Sequence, residues 1–217
     1  VLEETTDYPW NGDVRIYVKK SAAKNANLLV RIPGWVNNQV LPSDLYKYSD
    51  TERPTYTVML NGKKIEADVA ASKGYMPVKN VKKGDVISIH FDMPVRTVVA
   101  NLNVKDDEGR VAVERGPIVY CAEAADNQGE PVLRAVMGKK PVFNVVDGYK
   151  VSNTEAKGAA PFAVKAITTE AQMLEDTADG VAVKNQKLTL IPYYAWNHRG
   201  AGEMNVWFVQ SFKMLDK

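Results

Sequence analysis

The sequence is short of the side chains that most often carry chemistry: among 217 residues it has one cysteine, Cys121, and two histidines, His90 and His198. A lone thiol excludes an internal disulfide, and no CxxC or His-x-x-x-His spacing is present to assemble a structural zinc site. Two histidines would leave a metal centre to carboxylates, and no Asp-x-Asp-x-Asp-Gly run offers a calcium loop, so no metal is expected in this chain. Charge of one sign is also scarce. Lys plus Arg number 28 against 26 Asp plus Glu, a formal +2, too little for a protein that binds nucleic acid or an anionic membrane by neutralising phosphates. Long apolar runs are missing as well, since residues 95–100 fall far short of the ~20 that span a bilayer. The acidic opening Val1-Leu2-Glu3-Glu4 lacks the basic start of a signal peptide and reads as the interior of a longer polypeptide. Glycines are scattered at turns (Gly34, Gly62, Gly84, Gly116, Gly148) and form no GxGxxG or GxxxxGK[ST] cradle, which argues against a nucleotide site.

What the sequence does have is alternation. Hydrophobic residues make up 45% and charged residues 25% of the chain, a globular balance, and the apolar ones recur at every second position. Val14, Ile16 and Val18 alternate with Arg15, Tyr17 and Lys19; Val86, Ser88, His90 and Asp92 alternate with Ile87, Ile89, Phe91 and Met93. This is the period of a strand with one face in a core. Tyr56, Val58 and Leu60 lead into Asn61-Gly62, whose tolerance of positive φ predicts a type I′ hairpin. Further strands are predicted over 110–114, 117–122, 141–146, 162–168, 181–183, 187–191 and 202–209. The one candidate helix, residues 169–176, is too short to stand without tertiary support. The fold class is therefore all-β, with two antiparallel β-sandwich domains and at most one short helix. The polar stretch 101–109 is the best linker, placing one sandwich in residues 1–100 and a second in 101–217; a rival topology returns the last strand, 203–209, to the first sandwich.

No catalytic constellation is legible. His90 reads as a strand residue, and His198, in the loop Trp196-Asn197-His198-Arg199-Gly200, reads as structural or interfacial because no Ser or Cys motif accompanies it. Cys121 follows Ile118-Val119-Tyr120 and reads as a small buried hydrophobe. The acidic clusters Asp106-Asp107-Glu108 and Glu175-Asp176 read as solvated loop charges. Aromatics are the more pointed signal. Tyr8 and Trp10, Trp35, and Tyr193, Tyr194 and Trp196 all lie at strand ends or loops, where rings either stack on a sugar, pack against a neighbouring domain, or plug the ends of a sandwich. Arg199 beside them suits an interface, because its guanidinium reaches carbonyls and carboxylates.

Four stretches taken together carry a resemblance. They are Thr6-Asp7-Tyr8-Pro9-Trp10-Asn11-Gly12, Arg31-Ile32-Pro33-Gly34-Trp35, Arg115-Gly116-Pro117-Ile118-Val119-Tyr120-Cys121, and Ile191-Pro192-Tyr193-Tyr194-Ala195-Trp196-Asn197-His198-Arg199-Gly200 continuing to Gly202-Glu203-Met204 and Val206-Trp207. In order and spacing they resemble the C-terminal part of the β-L-arabinofuranosidases of glycoside hydrolase family 127, long catalogued as a domain of unknown function. The resemblance implies that catalysis sits elsewhere. In that family an N-terminal (α/α)6 barrel holds a zinc-bound cysteine nucleophile that performs retaining hydrolysis. Nothing here resembles that barrel, and Cys121 matches the family's strand cysteine after Gly-Pro rather than its nucleophile. No catalytic or zinc-ligand position carries over, so this chain should hold no cofactor of its own and be inactive alone, its partner being the N-terminal barrel of the same polypeptide. Tyr8, Trp10, Trp35, Tyr193, Tyr194, Trp196 and Arg199 are the expected contacts with that barrel or, alternatively, with plant-type glycan bound by a carbohydrate-binding module. The family's setting implies a bacterial parent that is periplasmic or extracellular.

Overall fold

The structure, a computed structural model, describes residues 1–21, 26–66, 69, 73–152, 160–178 and 180–212. The chain is all-β with antiparallel sheets, and its only described helical segments are single 3-10 turns such as Gly34–Asn37 and Tyr193–Ala195. It divides into two units, Val1–Asp44 with Asp50–Pro94, and Leu45–Ser49 with Val95–Lys217. The division therefore falls slightly before the expected linker at 101–109, which instead contributes the 3-10 turn Lys105–Asp107 within the second unit.

In the first unit, β1 (Leu2–Thr6), β2 (Asp13–Val18) and β3 (Ala26–Arg31) open the chain. After β4 (Tyr46–Tyr48), which belongs to the second unit, come β5 (Tyr56–Leu60), β6 (Lys63–Lys64), β7 (Tyr75–Val81) and β8 (Val86–Phe91). Five strands pair in the order β1-β2-β8-β5-β6, and β3 pairs with β7. The predicted hairpin forms at Asn61 and Gly62, with φ of 50° and 78°, the two positive values that a type I′ turn requires. Alternation is realised as expected: Ile87, Ile89 and Phe91 of β8 are buried while His90 is exposed. Gly12 sits where a Cβ would collide with the Phe91 carbonyl oxygen, so only glycine lets the backbones approach at this end of the sheet.

The second unit contains β9 (Val95–Ala100), β10 (Arg110–Arg115), β11 (Ile118–Glu123), β12 (Ala135–Val136), β13 (Asn144–Val151), β14 (Phe162–Thr177), β15 (Gly180–Pro192), β16 (Met204–Asn205) and β17 (Phe208–Val209). Its pairings run in a circuit: β11 with β15, β15 with β14, β14 with β12, β12 with β17, β17 with β10, and β10 back to β11. The β12–β17 step is parallel. The circuit encloses one core of Val111, Val113, Tyr120, Ile167, Met173, Leu188, Leu190 and Phe208, each at most 2% exposed. On the other side of β11, Cys121 packs with Val151, Val164, Ile191 and Ala195 in a second cluster.

One sequence expectation fails here. Residues 169–176 are not helical but continue β14, paired with β15 from Ile167↔Leu190 out to Thr177↔Gly180. Glu170 and Gln172 point outward while Ala171 and Met173 are buried, so the stretch also reads with period two, and ladder pairing overrides its helix-favouring residues. The strand that joins the other unit is Tyr46–Tyr48, paired with β9, whereas the segment 203–209 stays in the second unit as two short strands broken at Val206 and Trp207.

Candidate functional site

The seven residues singled out from the sequence separate into an exposed group and an internal group. In the first unit, Trp35 is 7% exposed. Its indole Nε1 donates a 3.2 Å hydrogen bond to the Tyr8 hydroxyl, and both rings pack on Phe91 at 5.9 and 6.1 Å. Burial raises the Tyr8 phenol above its ordinary value, with the Trp35 hydrogen bond opposing. These two rings pack within the first unit, Trp35 buried and Tyr8 half-buried. Trp10 lies in the same turn as Tyr8, where its N–H bonds the Asp7 carbonyl, but its side chain is 44% exposed.

In the second unit, Tyr193 and Tyr194 are 45% and 50% exposed on the 3-10 turn that ends β15. Trp196 lies 6.2 Å from Tyr193, centroid to centroid, and packs partly buried against the Cys121 cluster. Arg199 is not a surface residue. Its side chain is 8% exposed and meets two carboxylates, Glu123 and Asp126, that are 5% and 1% exposed. Both terminal nitrogens donate to Asp126 at 2.6 Å, a fork-on-fork pair, and Nη2 also donates to Glu123. Tyr149 donates its hydroxyl to Asp126 Oδ1 at 2.8 Å. Burial disfavours the Arg199 charge, yet the hydrogen bonds from Asp126 and Glu123 outweigh it and hold the guanidinium pKa above its ordinary value. Sequence reasoning found Arg199 but not its partners, which stand far upstream; the Cys121-Ala122-Glu123 alternation gave no sign that Glu123 would turn inward.

The remaining reactive groups are each engaged by neighbours within their own unit. Cys121 is fully buried, and desolvation, helped by Glu123 and Asp126, pushes its thiol up to about 12, the opposite of what a nucleophile needs. His198 stacks edge-on against Phe162 at 6.0 Å. His90 is bracketed by Asp13 on Nδ1 at 2.7 Å and Asp92 on Nε2 at 3.2 Å. Its pKa is raised chiefly by the Asp13 hydrogen bond. Asp92 is lowered, first by the hydroxyl of Thr55. Among the described residues, no group of three or more His, Cys, Asp or Glu is placed to hold a metal ion.

Two β units adjacent in sequence, with buried polar contacts that tie strands together, define the class as a tandem β-domain protein. Comparison with known proteins names the enzyme class. Residues 1–93 match the family model described as the β-L-arabinofuranosidase, GH127 middle domain, and residues 95–209 match the glycoside hydrolase family 127 C-terminal domain. The chain belongs to glycoside hydrolase family 127, as its middle and C-terminal β domains. It is similar to a non-reducing end β-L-arabinofuranosidase of Bifidobacterium longum, 29% identical over 214 residues that cover 94% of this chain and 30% of the relative. A solved GH127 β-arabinofuranosidase shares 44% identity and a TM-score of 0.86, covering 98% of this chain and 32% of that one. A GH127 β-L-arabinofuranosidase from Geobacillus stearothermophilus T6 shares 28% identity and a TM-score of 0.74, covering 96% and 30%. The chain thus spans about a third of the length of these relatives and is part of a larger polypeptide with other domains.

Proposed function

We propose that this chain is the non-catalytic support of a β-L-arabinofuranosidase-like glycoside hydrolase, packed against an N-terminal (α/α)6 barrel that holds the active site and its zinc. The observation that carries the reading is the pairing of matches: residues 1–93 match the family's middle domain and residues 95–209 its C-terminal domain, in order and over nearly the whole chain. The chemistry agrees with it. The one thiol is buried with a raised pKa, and the buried Arg199 guanidinium is taken up by Asp126 and Glu123. Support of this kind acts through apolar burial at ~25 cal/mol per Å². The exposed rings of Trp10, Tyr193 and Tyr194 are the contacts assigned to it in this reading, whereas Tyr8, Trp35, Trp196 and the Arg199 side chain are buried or half-buried. A secreted bacterial parent acting on arabinofuranosyl linkages belongs to the same reading.

The test compares two proteins. Tyr194→Ala and Trp10→Ala should each lower the melting temperature of the full-length enzyme, by about 1 °C per kcal/mol lost in a chain roughly three times this length. They should leave the melting of the 217-residue chain nearly unchanged and the KM of the enzyme unaffected. Equal destabilisation of both proteins would make the rings internal plugs. A raised KM with unchanged melting would favour glycan contact instead.

A further inference from the structure

The outer face of the five-stranded sheet is set by register. Thr5, Arg15, Ser88 and Met59 stand opposite one another across β1, β2, β8 and β5, flanked by the rows Glu3, Tyr17, Val86 and Asp13, His90, Thr57. An outward face of an antiparallel sheet is ordinarily flat and solvated. Here the turn after β1 rises beside it, and the two enclose a concavity of about 290 Å³ lined by Thr5, Asp7, Asn11, Arg15, Tyr17 and Ser88, among others.

The wall is fixed by its own hydrogen bonds. The Asp7 carbonyl accepts from the backbone N–H groups of Trp10 and Asn11, Asn11 Oδ1 accepts from the Asp13 N–H at 3.0 Å, and the Thr6 hydroxyl donates to the Asp13 carbonyl at 2.7 Å. Asp13 is in turn held by His90 at 2.7 Å. The floor, by contrast, has groups to spare. No hydrogen bond or ion pair ties the Arg15 guanidinium, the Ser88 hydroxyl or the Tyr17 hydroxyl to another described residue, while the Tyr17 ring is steadied by Lys19, whose Nζ lies 5.3 Å from its centroid.

We infer that this concavity is a binding site for a neutral sugar residue. A hydroxyl both donates and accepts, and the site offers both partners at close range: donors from Arg15, Ser88 and Tyr17, and acceptors from the remaining lone pairs of the Asp7 and Asp13 carboxylates, which already meet Asn11 Nδ2 at 3.4 Å and His90 Nδ1 at 2.7 Å. An anion would face those two carboxylates and a cation would face Arg15, so an uncharged polyol is the ligand whose charge nothing opposes. Arg15 presents a planar fork that matches two adjacent hydroxyls, and the half-buried Tyr17 ring supplies an apolar flank for the C–H face of a ring. The volume suits one saccharide unit, and an open, solvated site predicts weak binding.

The inference does not depend on the support reading and fails separately from it. Backbone amide NMR of the 217-residue chain titrated with L-arabinose, D-galactose and D-galacturonate tests it. The neutral sugars should shift the amides of Arg15, Tyr17 and Ser88 with dissociation constants on the order of 1 mM. Arg15→Gln and Ser88→Ala, both at solvent-facing positions, should each weaken binding, Arg15→Gln by about tenfold or more, with melting unchanged. Absence of shifts with all three sugars, shifts that survive Arg15→Gln, or a response to galacturonate alone would each overturn the proposal.

Discussion

The guanidinium carbon of Arg96 on β9 lies 3.5 Å from the centroid of the Tyr48 ring on β4, and both residues are only 6% exposed. The Tyr48 hydroxyl donates a 3.1 Å hydrogen bond to Glu114 on β10, so one cation, one ring and one carboxylate join three adjacent strands. This stack is what commits the segment Leu45–Ser49 to the second unit, together with its ladder to β9.

Tyr48→Ala should therefore cost about 3–5 kcal/mol in urea unfolding, as loss of a buried aromatic does, and Tyr48→Phe about 1–3 kcal/mol, the penalty for stranding a buried acceptor. Burial raises the Glu114 carboxyl, with Tyr48 and Arg96 opposing. The neutral form is thus favoured in the folded state, and this group's contribution is complete below the ordinary carboxylate value and fades as pH rises through its folded one. Tyr48→Phe should move the Glu114 titration, followed by carbonyl NMR, to still higher pH.

Arg199 carries a larger stake. Replacing it by Ala leaves Asp126 and Glu123 buried without their cation, and such broken pairs cost about 3–5 kcal/mol. Arg199→Lys keeps the charge but not the fork and should fall between wild type and Arg199→Ala. Chemical denaturation of the three proteins measures the order, and an Arg199→Ala variant as stable as wild type would refute the internal role.

Cys121 should be inert. With its thiol buried and pushed up to about 12, the native chain should react with an aromatic disulfide reagent only at the rate of unfolding. The thiol should then titrate as one equivalent in denaturant, since Cys121 is the only cysteine.

His90 and its partner Asp92 set pH dependences of opposite sign. Its pKa is raised by Asp13 first and Asp92 next, against desolvation. Its contribution is therefore complete below the ordinary imidazole value of about 6.5 and is lost as pH rises through the higher folded one. Asp92 is lowered, so its share is present above the ordinary carboxylate value and is lost as pH falls through the folded one. Because the imidazole is exposed, the step will be small. Stability measured from pH 5 to 9 should show it in wild type and lack it in His90→Asn.

How much of this was legible depends on the range of the interaction. The strands of the first unit followed from alternation at Val14 to Lys19 and Val86 to Phe91, and the hairpin from Asn61-Gly62, because side-chain period and backbone φ are local properties. Residues 169–176 were misread because Glu, Ala, Gln, Met and Leu favour a helix locally; only pairing with β15, which buries Ala171 and Met173 on one face, settles the choice. The aromatic candidates lie outside the strands, but the sequence could not sort them: a Trp after Pro-Gly reads the same whether, like Trp35, it meets Phe91 and a tyrosine hydroxyl or faces solvent. The sheet face around Arg15 gave no signal, since a polar residue every second position is what any half-solvated strand shows.

The amino-acid order by itself determined the all-β class, the turns, and the absence of disulfide, zinc-finger and nucleotide motifs, because each follows from the chemistry of residues that are neighbours along the chain. Tertiary structure alone decided that β4 leaves its sequence neighbours for β9, that β17 closes the circuit onto β10, and that Arg199 finds Asp126 and Glu123. Those outcomes depend on which distant surfaces lose water together, and desolvation is a property of the assembled core.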